Sequence, residues 1–107
     1  DADIGGRTVR FMVDTGASTI ALTYEDATRL GLNPQTLDFT STVMTANGPA
    51  RTAYVTLPQI SVGGIERTNV RAGISEPGRM DQSLLGMNFL DTLSSFSFSG
   101  DELRLRD

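Results

Sequence analysis

The sequence predicts a small, mostly-β domain of the barrel or sandwich kind, on three observations. Short runs of alternating apolar and polar residues recur along the chain, separated by turns rich in Gly, Pro and Asn. Only one segment carries a full set of helix start and stop signals. The 107 residues, 38% of them hydrophobic, suffice for one core and one domain spanning residues 1–107.

Taken in order, Gly5-Gly6 separates a stub, Asp1–Ile4, from a strand over Thr8–Asp14 in which Val9, Phe11 and Val13 alternate with polar neighbours. Met12 interrupts the alternation, so the end of this strand is expected to be buried on both faces. A helix of about two turns follows over Tyr24–Leu30. Thr23 caps it, Asp26 stands at the capping-box position, Leu22 and Ala27 fit a hydrophobic staple, and Gly31 ends it. Thr40–Thr45 and Ala50–Leu57 flank Ala46-Asn47-Gly48-Pro49, a hairpin signal. Ile60–Val62 and Ile65 straddle Gly63-Gly64. Val70, Ala72 and Ile74 alternate before a turn at Glu76-Pro77-Gly78, and a second short helix is expected over Gly86–Leu90. Phe96 and Phe98, then Leu103 and Leu105, form a last alternating pair around Ser99-Gly100-Asp101.

Composition removes much chemistry. With no His and no Cys, the chain holds no Ser-His-Asp triad, no cysteine nucleophile, no ordinary zinc site and no disulfide. No cofactor and no metal are expected. Nine basic residues, all Arg, against 13 acids give a net charge of −4, which disfavours a nucleic-acid partner. No apolar stretch approaches the roughly 18 residues of a membrane-spanning helix. The chain begins at Asp1, without Met and near a turn, as expected of a fragment of a longer protein.

The chemically informative run is Phe11-Met12-Val13-Asp14-Thr15-Gly16-Ala17-Ser18-Thr19. A carboxylate follows an apolar strand directly and a Thr-Gly turn bends the chain away. Burying that charge costs several kcal/mol unless it is paired, hydrogen-bonded or neutralised. Asp14 is therefore a candidate functional group. The plainer reading is a turn, since Asp-Thr-Gly is good loop chemistry and arises by accident in ~2% of chains of this length.

The wider pattern separates the two. Apolar-apolar-Asp-Thr-Gly-Ala, followed about 70 residues later by Leu84-Leu85-Gly86, resembles the clan of pepsin-like and retroviral aspartic proteases. Val13-Asp14-Thr15-Gly16-Ala17-Ser18, Leu22-Thr23, Asp26-Ala27 and Leu30-Gly31-Leu32 resemble more closely the bacterial single-domain retropepsin-like family. So do Thr45-Ala46-Asn47-Gly48 and Ser83-Leu84-Leu85-Gly86-Met87-Asn88-Phe89-Leu90. The resemblance covers nearly all of Gly6–Leu105 and implies a small closed β-barrel of the retropepsin type with one or two short helices.

It also implies an activity, that of an aspartic endopeptidase. Hydrolysing an amide without His, Cys or metal takes one group to deprotonate water and another to protonate the carbonyl oxygen. Two carboxylates about 3 Å apart, sharing one proton, do both. This chain has one Asp-Thr-Gly. Asp38-Phe39-Thr40 and Asp91-Thr92-Leu93 lack the glycine, and Asp81-Gln82-Ser83 lacks the preceding apolar strand. A C2 homodimer would bring Asp14 of each subunit to the axis.

The resemblance implies further roles. Thr15 would bond across the axis, and Gly16 would admit backbone close to the dyad. Ala17, Ser18, Thr45, Ala46, Asn47 and Gly48 would meet an extended peptide, the last four as a flap. Leu84, Leu85 and Gly86 would pack behind the catalytic loop. With no aromatic residue in the flap, substrate contacts there are expected to be mostly backbone and small side chains. Ser18 and Met87 stand where retroviral enzymes carry an ion-paired Asp and Arg, so the dimer interface is expected to be built differently. The family usually has a longer strand before Gly5-Gly6, of which this chain keeps the end. By analogy the protein belongs to the bacterial periplasm, tethered to the inner membrane by an N-terminal segment missing from this chain. The alternative, from another class, is a non-catalytic module that keeps the fold for dimerisation or peptide capture. A two-carboxylate glycosidase, whose cleft is normally rich in aromatics, is poorly served by a chain with no Trp and two Tyr.

Overall fold

The structure, a computed structural model, describes residues 1–45, 48–99 and 102–107. Three short strands, β1 (Ala2–Ile4), β2 (Arg7–Val9) and β3 (Phe11–Val13), lead to the Asp14 turn, and β4 (Ile20–Leu22) follows it. Helix α1 (Tyr24–Arg29) and a 3-10 turn (Pro34–Thr36) precede β5 (Ser41–Thr45), β6 (Gly48–Val62) and β7 (Ile65–Ser75). Then come β8 (Ser83–Leu85), helix α2 (Met87–Leu90) and the hairpin of β9 (Ser95–Ser99) and β10 (Glu102–Arg106).

The first eight strands make one sheet ordered β2-β1-β6-β7-β4-β8-β3, with β5 paired to β6. Its spine is the antiparallel β6–β7 hairpin, whose Gly63-Gly64 turn has φ 58° and 82°, the two left-handed positions that match the twist of the flanking strands. The closed barrel expected from the resemblance is not found as a closed ladder: among the described residues no pairing joins β2 to β3. The two ends of the sheet are instead consecutive in sequence, with Arg10 alone between them. The chain, rather than hydrogen bonding, returns one edge to the other.

Two strand readings change accordingly. The expected strand Thr8–Asp14 is broken at Arg10, because its first half pairs with β1 and its second with β8. Its end is not buried on both faces: Phe11 and Val13 are half-buried against the core, while Met12 is 52% exposed. Conversely, Ala50–Leu57 and Ile60–Val62 are one strand. Pro58 lacks the N–H a ladder uses and Asn69 opposite takes φ 55°, so the register passes from Leu57↔Val70 to Gln59↔Thr68 with one pair omitted.

Val9, Ile20, Leu22, Leu57, Ile60, Ile74, Leu85, Phe89 and Leu90 form a fully buried core, each contributing roughly 2 kcal/mol of apolar transfer. Phe96 and Leu105 bring the β9–β10 hairpin against it. Arg67 of β7 fastens that hairpin through Thr92 Oγ1 at 3.0 Å and Asp107 Oδ1 at 2.5 Å. Helix α1 ends in a Schellman motif: Leu32 N–H donates to Ala27 O and Gly31 N–H to Thr28 O, both at 3.1 Å, with Gly31 at φ 77°.

Candidate active site

The site is built where two short ladders stop. Strand β3 runs parallel to β8 with Met12 opposite Leu84 and Val13 opposite Leu85, and Asp14 N–H extends the ladder by donating to Leu85 O at 3.1 Å. The chain then turns. Ala17 N–H donates to Asp14 O at 3.1 Å, and Gly16 N–H donates to Asp14 Oδ1 at 2.8 Å. A Cβ on Gly16 would stand 3.2 Å from that same oxygen, so glycine keeps the carboxylate uncrowded. The charge is thus half-buried and hydrogen-bonded to backbone, one of the ways a strand-terminal Asp is tolerated. Thr15 and Ser18 are exposed and Ala17 is half-buried.

The far side of the loop is fixed by α2. Met87 N–H donates to Ala17 O at 2.7 Å and Asn88 N–H to Ser18 O at 3.0 Å. Asn88 Oδ1 accepts Ile20 N–H at 2.9 Å, and its amide donates to Arg71 O at 2.7 Å. Loop and helix approach so closely at Gly86 that a Cβ there would lie 2.4 Å from Thr19 O and 2.9 Å from Ala17 O. Leu85 and Gly86 are buried, whereas Leu84 is half-buried and faces the cleft.

Behind β8 lies a polar cluster. Thr23 Oγ1 caps α1 by accepting Asp26 N–H at 3.0 Å. The reciprocal arm of the expected capping box is relayed: Thr23 N–H donates to Ser83 Oγ at 3.1 Å, and the Ser83 hydroxyl donates to Asp26 Oδ2 at 2.5 Å. Arg29 pairs with Asp26 Oδ1 at 2.8 Å. Burial is the largest single influence on the Asp26 carboxyl and pushes it up. The Ser83 hydroxyl, the Arg29 guanidinium and Thr23 together outweigh it and hold the group below the ordinary carboxylate range.

Asp14, Gly16, Ala17, Ser18 and Leu84 line a cleft of about 470 Å³. Of the expected flap residues, Thr45 and Gly48 form the last pair of β5 and β6, with Gly48 at φ 99°, and Ala46 and Asn47 lie outside the described residues. Val43 and Met44 of β5 also line the cleft, Met44 being 74% exposed, so the hairpin brings larger apolar side chains to it beside the expected flap residues.

Sequence reasoning missed the opposite wall, made by Thr52, Tyr54 and Ser75 and by the loop Arg79–Gln82. Alternation offered one clue: with Ala53, Val55 and Leu57 on one face, Tyr54 belongs to the other. Gly73 makes room there, since a Cβ would stand 2.8 Å from Thr52 Cγ2 and 3.3 Å from Tyr54 Cε1. The Arg71 guanidinium stacks 3.9 Å from the centroid of the Tyr54 ring.

Against known proteins, the model of a family described as aspartyl protease matches residues 1–89. An uncharacterised Sinorhizobium protein from the cobV 5′ region is 55% identical over 106 residues, covering 99% of this chain and 46% of that protein. An uncharacterised Rickettsia prowazekii protein is 42% identical over 97 residues, covering 91% of this chain and 41% of its own length. The chain therefore spans less than half of these curated relatives. Among solved structures, a retropepsin-like aspartic protease from Rickettsia conorii superposes with a TM-score of 0.84 at 40% identity, covering 97% of this chain and 77% of that one. EIAV protease, complexed with an inhibitor, shares the fold alone, with a TM-score of 0.69 at 19% identity over 92% of this chain and 88% of that one.

Proposed function

Because the chain belongs to the retropepsin-like aspartic protease family, we propose that it is an aspartic endopeptidase that works as a homodimer. The observation that carries this reading is Asp14, a carboxylate at a strand end whose Oδ1 is held by Gly16 N–H and which opens on a peptide-sized cleft. One protomer supplies half of the chemistry. A two-fold axis at the Asp14 turn would set two such carboxylates side by side with one proton between them. The ionised member takes a proton from water as its oxygen attacks the peptide carbonyl carbon, while the protonated member gives its proton to the carbonyl oxygen. Collapse of the resulting gem-diol returns a proton to the leaving amine. The exposed Thr15 on the same turn supports contact across the axis.

The substrate in this reading is an extended peptide lying between the β5–β6 hairpin and the Asp14 loop, held through main-chain hydrogen bonds. Met12, Val43, Met44, Tyr54 and Met80 give the cleft apolar walls that adapt to hydrophobic side chains. The deciding experiment is cleavage of extended peptides in the acid range by the parent and by Asp14→Asn. The parent should cut and the variant should lose at least about a thousandfold in kcat. A variant as fast as the parent overturns the reading, and binding without hydrolysis by the parent turns it into a peptide-capture module.

A further inference from the structure

The Asp14 turn is held from behind by β8, and β8 is tied to the start of α1 by a single buried hydroxyl. Ser83 is fully buried, accepts from Thr23 N–H and donates to Asp26 Oδ2 at 2.5 Å. Its neighbours Gln82 and Leu84 line the cleft, while Ser83 points the other way, into this cluster. Resting on the reading of Asp14 as the catalytic group, we propose that Asp26 is a positioning residue: through Ser83 it sets the register of β8 against β3 and so places the Leu85 carbonyl that holds Asp14 N–H.

The β3–β8 ladder has three rungs, Phe11↔Ser83, Met12↔Leu84 and Val13↔Leu85. A parallel ladder of three rungs has few hydrogen bonds along it; a slip of a whole residue, which would turn Leu85 out of the core and Leu84 into it, is opposed by burial, but smaller shifts along the strand axis are not. A directional bond at the first rung removes that freedom, and its effect reaches the third rung, where Leu85 O meets Asp14 N–H at 3.1 Å. An apolar residue at position 83 would fill the same buried space without fixing the strand along its own axis.

The charged groups around Asp26 are few. Glu25 and Arg29 lie on its own helix, and Arg7 of β2 reaches the Arg29 carbonyl; among the described residues only Arg29 forms an ion pair with Asp26. The Ser83 hydroxyl, the Arg29 guanidinium and Thr23 hold the Asp26 carboxyl below the ordinary carboxylate range against the opposing effect of burial.

The test uses the chain as it stands with Asp26→Ala, Asp26→Asn and Ser83→Ala, read by residue-resolved amide hydrogen exchange and by steady-state kinetics on one peptide. In Asp26→Ala and Ser83→Ala the Asp14 amide should exchange about tenfold faster than in the parent, while the Val55 amide in β6 keeps its rate. With it kcat should fall about tenfold and KM stay within about twofold, the sign of a displaced catalytic group rather than a damaged cleft. An unchanged Asp14 amide, or a common acceleration of all amides, overturns the proposal. If Asp26→Ala does not fold, Asp26→Asn keeps the shape and carries the same comparison, with a smaller rise at Asp14. If the parent cuts no peptide, the protease reading fails while the exchange data still decide the anchor.

Discussion

At Gly86 and Asp26 single atoms decide the outcome. A methyl at Gly86 would enter the space of the Thr19 carbonyl at 2.4 Å, and because the obstacle is backbone the loop itself must move. Gly86→Ala should cost about 3 kcal/mol in denaturant unfolding and displace the Asp14 turn. Asp26 acts through charge. Its folded-state pKa is depressed, so its stabilisation is fully present above the ordinary carboxylate value of about 3.9 and is lost as pH falls through the lower folded value. Thermal melts of parent and Asp26→Asn should therefore differ most near neutrality and converge only in strong acid. Gly86, whose constraint at Thr19 lies 67 residues away, was marked only by the resemblance, while Asp14 and Gly16 were legible in the sequence because their constraints are local: a charge after an apolar strand, and a glycine on the turn that follows it. Ser83 and Tyr54 were not, because their partners lie 57 residues away at Asp26 and across the β6–β7 ladder, distances that no local pattern encodes.

Element by element, legibility followed the same division between local and tertiary causes. Helix α1 was readable to within a residue, since its cap at Thr23 and its stop at Gly31 are both local chemistry. Replacing Gly31 by Ala forces a Cβ into the left-handed region and should cost roughly 1 kcal/mol in unfolding free energy. The break at Arg10 was hidden, because it exists only where one stretch of chain changes partners from β1 to β8. The continuity of β6 through Pro58 was hidden too, since a proline reads as a stop until Asn69 accommodates it across the ladder. The β5–β6 hairpin offers a direct check on its assigned role. Met44 is 74% exposed yet lines the cleft, so Met44→Ala should leave stability within about 0.5 kcal/mol while raising KM several-fold. A loss of stability without a change in KM would place Met44 in structure rather than in substrate contact.

For the molecule as a whole, the proposed mechanism turns on the pairing of Asp14 with that of a second copy. Asp14 and Asp81 both line the cleft, but of the two only Asp14 ends an apolar strand on a turn held by Leu85, Gly16 and the start of α2, and the proposed acid–base hydrolysis needs a second carboxylate in that setting. Pairing through a two-fold predicts activity that falls on dilution more steeply than protein concentration. The most direct measurement mixes parent with Asp14→Asn under conditions that let subunits exchange, and follows peptide cleavage against the fraction of parent chains. If each site takes one Asp14 from each of two subunits, activity follows the square of that fraction, and an equal mixture retains about a quarter of the parent rate. A linear decline, leaving about half, would mean that each chain works alone and would contradict the shared site.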